Sequence, residues 1–121
     1  MPIPQRNIID ISKIHITLEG INKGKRNILL PEPAVPYYEY KDGKKTEHIL
    51  GMEYPALLSG LGFARIYIKV PNEQVSSIPA EKFQTSDAPI PCVVDGFAGR
   101  LYKTADGNIA IAATATAIKL A

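Results

Sequence analysis

Hydrophobic and polar residues alternate in several short segments of the chain, and this pattern predicts β-strands. In residues 65–70, isoleucine and valine at positions 66, 68 and 70 alternate with Arg65, Tyr67 and Lys69. Because successive side chains of a strand point to opposite faces, one face is aliphatic and should pack in a core. The other face carries a tyrosine between two cations. Further strand-like segments are residues 14–18, 35–40, 46–52, 92–97, 99–104 and 108–120.

Turn signals separate these segments and leave little room for helices. The chain has ten prolines and nine glycines, which fall between the apolar runs. Asp42-Gly43 and Asp106-Gly107 each lie between two strand-like segments, and Asp-Gly is favoured in tight hairpins because it tolerates positive φ. Only residues 71–83 are expected to hold a short helical turn. The pattern therefore predicts an all-β fold, either a small barrel or a sandwich, with two Asp-Gly hairpins.

Length and composition suit one domain with its own core. The chain has 121 residues, of which 45% are hydrophobic. Cys92 is the only cysteine, so no disulfide can form within the chain, and we expect it to be a small buried residue. No signal peptide is expected in residues 1–10, and no apolar run is long enough to span a membrane as a helix. We therefore expect a cytoplasmic protein that does not associate with a membrane.

The sequence has no recognisable catalytic or metal site. His15 and His48 are far apart, and no cluster of cysteine and histidine has the spacing of metal ligands. Gly60 and Gly62 are better explained by a turn than by a phosphate-binding loop. A nucleophilic Cys92 paired with a histidine has no local signature and is the least favoured alternative. We predict that the protein is not an enzyme and needs no cofactor and no metal.

Charge and aromatic residues instead indicate binding. The net charge is only +2, but the charges are unevenly distributed. Residues 23–45 hold six basic and three acidic residues, whereas residues 71–95 hold one basic and four acidic residues. Tyrosines recur beside cations in three places, a combination that can stack bases and neutralise phosphates. The alternative is a set of ordinary solvated strand faces with structural tyrosines. On either interpretation Tyr54, which precedes Pro55, is expected to be a core or corner residue. The candidate nucleic-acid-binding residues are Tyr38, Tyr40, Lys41, Lys44, Lys45, Arg65, Tyr67, Lys69, Arg100, Tyr102 and Lys103.

The central part of the chain resembles a group of known proteins. The string Tyr-Glu-Tyr-Lys-Asp-Gly-Lys-Lys-Thr-Glu at residues 38–47 is followed by Ile-Leu-Gly-Met-Glu-Tyr-Pro at 49–55 and Ile-Tyr-Ile-Lys-Val-Pro at 66–71. Val-Asp-Gly-Phe at 94–97 and the segment 113–120 complete the likeness. In strand order and turn placement, residues 37–121 resemble the small single-stranded-DNA-binding and replication-accessory proteins of phages and Gram-positive mobile elements. This group includes the filamentous-phage gene V type and the helicase-processivity factors of conjugative elements.

The resemblance implies an OB-like barrel of five or more antiparallel strands that binds single-stranded DNA without sequence preference. Residues 35–121 would form this core, and residues 1–34 would add an N-terminal strand and loop. Tyr67 and Lys69 would lie on a central strand of the binding face, and Arg100 and Tyr102 on a hairpin near the C-terminus. Tyr38, Tyr40, Lys44 and Lys45 would lie on a strand and at a hairpin tip that embrace the DNA.

These observations favour a single-stranded-DNA-binding protein used in replication or transfer of a phage or mobile element. A homodimer is expected, and a helicase or relaxase is a possible partner. The alternative is a protein-interaction or structural module that does not bind nucleic acid, such as a phage assembly component or an adaptor for a helicase or relaxase. The low net charge and the weakly charged segment 108–120, which could pair edge to edge with a second copy, favour that alternative. The choice between DNA and RNA stays open.

Overall fold

Nine β-strands dominate the computed structural model, which describes residues 9–121. The all-β prediction is therefore confirmed for this part of the chain. One short α-helix precedes β2 and another precedes β6. The strands are β1 (His15–Ile16), β2 (Asn27–Leu30), β3 (Val35–Lys41), β4 (Lys44–Leu58), β5 (Ala64–Pro71), β6 (Ile90–Asp95), β7 (Ala98–Lys103), β8 (Ile109–Thr114) and β9 (Ala117–Leu120); the helices are α1 (Leu18–Ile21) and α2 (Glu81–Gln84).

The strands form one twisted sheet in the order β1-β7-β8-β5-β4-β2-β6-β9, with β3 paired to β4. Two details differ from the expected barrel of antiparallel strands. Within residues 9–121 the ladder does not close, because β1 and β9 are its two ends. In addition, β5 and β8 run parallel, with Lys69 opposite Thr114. A parallel pair needs a long connection, and the chain supplies it through α2, β6 and β7.

Strands β3 and β4 extend beyond the rest of the sheet as a two-stranded arm, which we define as residues 38–49. Among residues 9–121, the ladder pairs these residues with one another and with no other strand. Asp42 and Gly43 connect the strands, and both have positive φ, 52° and 76°, as a type I′ turn requires. Two irregularities in the register bend the arm, one of them held by Thr46, whose Oγ1 donates to the Glu39 carbonyl oxygen at 2.8 Å.

The C-terminal third is a long ribbon with a sharp corner. Asp95 pairs with Ala117 and Ala98 with Thr114, so the register continues unbroken from the β6–β9 pair into the β7–β8 pair. At the corner Gly96 has a φ of 64°, and a Cβ there would lie 2.4 Å from Thr116 Oγ1. Segment 108–120 is therefore two strands rather than one, because this corner divides it. Asp106-Gly107 lies in a five-residue loop, residues 104–108, and not in a two-residue turn.

The hydrophobic core lies on one side of β5, as the alternation of residues 65–70 predicts. Ile66, Ile68 and Val70 are buried there. The expected core position of Tyr54 is confirmed: its side chain is fully buried, and its hydroxyl donates to Glu73 and accepts from the Ser77 amide at 3.0 Å. Cys92 is also fully buried, as expected. The same core contains three residues that precede position 35, namely Leu18, Ile28 and Leu30.

Two segments differ from their predicted structure for local reasons. Residues 14–18 alternate like a strand, but only His15–Ile16 is a strand, because Thr17 caps α1 by accepting from the Gly20 amide at 3.0 Å. Strand β4 continues through Pro55, well past residue 52. A proline fits there because, among the described residues, β3 pairs with Glu53 and β2 with Leu57, which leaves a gap beside Pro55 on that side of β4. Strand β5 lies on the other side, with Tyr67 opposite Pro55.

The structure bears on the expected absence of a membrane-spanning helix, but not on most of the N-terminal segment. Residues 1–8, which hold most of the segment without a signal-peptide pattern, lie outside the described residues. Within residues 9–121, no helix has both the length and the apolar character needed to cross a bilayer.

Candidate nucleic-acid interface

A shallow groove of about 990 Å³ lies on the face of the sheet opposite the core. Strands β4, β5, β8 and β7 form it, and β1 adds His15 at one side. Five of the residues that the sequence singled out line this groove, although they come from two distant segments of the chain. They are Arg65, Tyr67, Lys69, Arg100 and Tyr102.

Strand register explains why these five side chains share one face. On β5, Tyr67 lies between Arg65 and Lys69 in the outward-facing row. On β7, Arg100 pairs with Ala112 of β8, and Tyr102 pairs with Ala110. Strand β8 lies between β5 and β7, so its alanines separate the two rows. The small side chains leave a trough between two walls that carry tyrosines and cations, a feature that the sequence analysis missed.

The two groove tyrosines are available for stacking. The residue exposure is 50% for Tyr67 and 44% for Tyr102, in contrast to the fully buried Tyr54. A half-exposed ring that lies on a rigid strand loses little conformational freedom when it binds a flat partner. Both rings can therefore offer a face to a nucleobase without a rearrangement of the sheet.

The three groove cations have different surroundings. Arg65 Nη1 lies 2.8 Å from Glu32 Oε1, and contact with the Tyr67 hydroxyl, followed by the charge of Glu32, raises the pKa of Arg65. Lys69 Nζ lies 4.9 Å from the centroid of the Tyr37 ring, within the range of a cation–π contact. Arg100 has no ion pair with any residue in 9–121. Lys69 and Arg100 are thus open to a phosphate, whereas Arg65 is partly neutralised.

Tyr37 joins the arm to the groove and is absent from the sequence-based candidates. Its ring lies over Gly51, where an added Cβ would be 2.7 Å from the Tyr37 hydroxyl oxygen. Desolvation, and then the negative charge of Glu53, raises the pKa of Tyr37. The absence of a side chain at position 51 therefore lets the ring pack close to the strand, with Lys69 above it. The available sequence signal was its place directly before Tyr38, in a tyrosine-rich segment that leads into Lys41.

The other tyrosines of the candidate set lie on the arm. Tyr40 pairs with Lys45, whose Nζ lies 4.2 Å from the centroid of the Tyr38 ring. Tyr40 is 65% exposed. A register irregularity separates Tyr37 from Tyr38, and the two rings have different cations: Lys69 of the groove lies over Tyr37, and Lys45 of the arm lies over Tyr38. A ligand that touched both would have to follow the bend of the arm.

The remaining lysines lie at the ends of hairpins. Lys41 and Lys44 pair with each other next to the turn, an arrangement of like charges that costs stability unless an anion lies near. Lys103 follows Tyr102 in β7, points to the opposite face, and does not line the groove. The structure thus places five candidates in the groove and five on the arm, with Lys103 in neither.

The described residues contain no arrangement suited to metal binding. Within residues 9–121 there is no group of three histidine, cysteine, aspartate or glutamate side chains close enough to hold an ion. Burial raises the pKa of the Cys92 thiol to about 11, which keeps it protonated and unreactive near neutral pH.

Comparison of the chain with protein-family models, with curated proteins and with solved structures finds no match.

Proposed function

We propose that this protein binds single-stranded DNA without sequence preference, through the groove and the adjoining arm. The observation that carries the proposal is the pair of half-exposed tyrosines, Tyr67 and Tyr102, set beside cations on two sides of an alanine floor. Every base has a face that can stack on tyrosine, and Lys69 and Arg100 can neutralise phosphates beside the stacked bases. This combination binds single strands better than duplexes, because paired bases are not free to stack on protein.

The spacing of the two tyrosines suits separate bases. Strand β8 separates their strands, so two sheet spacings of about 4.8 Å lie between them. Through their β8 partners, Tyr102 lies level with Ala110, while Tyr67 lies level with Ala112. The two rings are therefore offset along the groove as well as across it, by about 7 Å. A strand that crosses the trough obliquely could place different bases on the two rings.

An OB-like topology is part of the proposal, and the strand connectivity supports it. Five segments follow one another along the chain: β2 with β3, then β4, β5, β6 with β7, and β8 with β9. Strand β2 pairs with both β4 and β6, and β5 pairs with both β4 and β8, so these pairs join all five segments although the ladder itself stays open between β1 and β9. The continuous register through the Gly96 corner brings β9 back beside β6. This connectivity suits a partly open barrel.

The positions of the groove and arm agree with that topology. In OB-folds, oligonucleotides bind the face of strands two and three and the loops that join strands one to two and four to five. In this chain the corresponding parts are the outer face of β4 and β5, the arm with its Asp42-Gly43 turn, and the loop of residues 104–108. Ten of the eleven candidate residues belong to the groove or the arm, and Lys103 borders that loop.

A biological role is included in the proposal on the strength of the resemblance of residues 37–121. We propose that the protein acts in the cytoplasm, in the replication or transfer of a phage or mobile element, as a homodimer with a helicase or relaxase as a possible partner. The ends of the sheet, β1 and β9, each offer an edge at which a second copy could pair.

Paired substitutions at Tyr67 test the stacking role. Tyr67→Ala should weaken binding of single-stranded DNA by about 1–3 kcal/mol, while Tyr67→Phe, which keeps the ring, should bind nearly as the wild type does. Fluorescence anisotropy with a labelled single strand measures both, and a thermal melt of each variant shows that the fold is intact. The double variant Tyr67→Ala, Tyr102→Ala binding with wild-type affinity would contradict the proposal.

A protein-interaction role is the second candidate, and exposed apolar side chains at one end of the groove favour it. Leu61 and Ile109 line that end and are 47% and 62% exposed, and Phe63, at the neighbouring turn, is 59% exposed with a φ of 60°. A phenylalanine that is both exposed and left-handed is an unusual arrangement with a cost in stability. A monomer at all concentrations in sedimentation, with no partner retained from its host, would count against this candidate.

A further inference from the structure

Glu53 places a negative charge inside the groove, between cations and aromatic rings. It lies on β4, directly opposite Lys69 of β5 on one side and Val35 of β3 on the other. Its side chain is half-buried and lines the groove together with Tyr67. A carboxylate on a surface that is meant to hold phosphates lowers the affinity for them, so its presence needs an explanation.

The Glu53 carboxylate has no fixed partner within the described chain. Among residues 9–121 it makes no ion pair within 4.0 Å and no side-chain hydrogen bond, although Lys69 is its direct cross-strand neighbour. The Lys69 ammonium lies over the Tyr37 ring instead. An ionised carboxylate that is half-buried and accepts no hydrogen bond from the protein is ready to accept one from a ligand.

Geometry places this acceptor within reach of a base on Tyr67. Tyr67 pairs with Pro55, two residues along β4 from Glu53, so the two side chains are diagonal neighbours on one face. Such neighbours are about 7–8 Å apart at the backbone, a distance that aromatic and long side chains bridge. A base that stacks on the Tyr67 ring would therefore have an edge near the carboxylate, whereas its phosphates would stay with the cations.

The chemistry of the base edges determines which bases this arrangement accepts. A carboxylate only accepts hydrogen bonds, and the exocyclic amino group of cytosine is a donor that glutamate recognises. Uracil and thymine present a carbonyl oxygen at the same position, which repels a carboxylate. Their N3–H donor lies between two carbonyl oxygens, so a carboxylate that approaches it meets the same repulsion. Resting on the proposed function, we infer that Glu53 adds a modest base preference to binding that requires no defined sequence: bases with an exocyclic amino group are favoured, and cytosine is favoured over uracil or thymine.

The test compares two strands whose bases differ at position 4, amino group against carbonyl oxygen, and in the proton on the adjacent N3. Labelled oligo-dC and oligo-dU of about 30 nucleotides are titrated with the wild-type protein at about pH 8, where cytosine is unprotonated. We expect oligo-dC to bind about fivefold more tightly than oligo-dU. In Glu53→Gln the amide can both accept and donate, so the ratio of the two affinities should fall to about one. Equal affinities in the wild type would overturn the inference.

A matched control separates base selection from a simple change in charge. Glu81→Gln removes the same charge from α2, where Glu81 is exposed and does not line the groove. It should keep the wild-type ratio of oligo-dC to oligo-dU affinity. A ratio that is the same in Glu53→Gln as in Glu81→Gln would contradict the inference even if both variants bind DNA more tightly. Failure of the wild type to bind either strand would instead contradict the proposed function.

Discussion

Replacing Glu32 by glutamine should strengthen the binding of single-stranded DNA, because Glu32 competes with phosphates for Arg65. The carboxylate lies 2.8 Å from the guanidinium of Arg65, at the edge of the groove. A phosphate that approaches Arg65 must first displace this carboxylate, and the repulsion between two anions adds to the cost. Glutamine keeps the length and shape of the side chain but removes the negative charge.

The exposure of the pair limits the size of the gain. The side chains of Arg65 and Glu32 are 42% and 57% exposed, so solvent screens their attraction and the pair is of the weak surface type. The affinity should therefore rise by roughly threefold at low salt. The gain should decrease as salt increases, because the screening length is about 10 Å at 0.1 M ionic strength. The stability of the fold should barely change.

A second surface ion pair provides the matched control. Glu19 lies 3.2 Å from Arg26, and neither residue lines the groove, so Glu19→Gln makes the same charge change in the same kind of pair. Anisotropy titrations of both variants at several salt concentrations give the affinities. Glu32→Gln should exceed Glu19→Gln at low salt and approach it at high salt. Equal gains at every salt concentration would refute competition between Glu32 and phosphate at Arg65.

Two further predictions concern the buried polar and thiol groups. The fully buried Asn22 accepts from the Gly60 amide at 2.7 Å and donates to two carbonyl oxygens, so Asn22→Ala should lower the free energy of unfolding by about 2–4 kcal/mol in urea titration. As a control, Asn108→Ala at an exposed position should change the free energy of unfolding by less than about 0.5 kcal/mol. An equally small loss for Asn22→Ala would contradict the stabilising role of the buried Asn22 hydrogen bonds. The pKa of Cys92 rises from 9.0 to about 11 on folding, so the unfolded chain loses this proton first and stability should fall as pH rises through that interval. Part of that fall should vanish in Cys92→Ala, and a native thiol that reacts as fast as a free one near neutral pH would contradict its burial.

The alternation along β5 could be predicted from sequence because both faces of that strand are unambiguous. Ile66, Ile68 and Val70 are buried, and the outward row includes Tyr67. A central strand that is half-buried must obey the period of two, since a slip by one residue would expose the whole aliphatic row. The burial of Cys92 was predicted from its apolar neighbours, and that of Tyr54 from its place before Pro55.

Other elements depend on contacts that a local pattern does not contain. The alternation of residues 14–18 predicts a strand of five residues. Only two residues form a strand, because Thr17 caps a helix that begins directly after it. The strand-like segment 46–52 is shorter than β4, which continues through Pro55 because a gap between two partner strands accommodates the proline. Segment 108–120 is divided by a corner at Gly96, which belongs to a different part of the chain.

The groove, too, combines features that a local pattern predicts with features that depend on strand pairing. Tyr67 and Lys69 could be placed on one face from their spacing alone. Their position opposite Arg100 and Tyr102 requires the parallel pairing of β5 with β8, which no short segment predicts. Glu53 in the groove and Glu32 beside Arg65 were missed for the same reason, since a glutamate in sequence gives no sign that it will lie beside a cation. Local periodicity thus predicts faces, and topology decides which faces meet.

The central claim is most directly tested by binding to a labelled single strand of mixed sequence, about 30 nucleotides long, and to its duplex, at low and at physiological salt. We predict tighter binding to the single strand than to the duplex, with an affinity that falls as salt increases. No binding at low salt, or equal binding to both forms, would contradict the account and leave the groove tyrosines with a structural or protein-binding role.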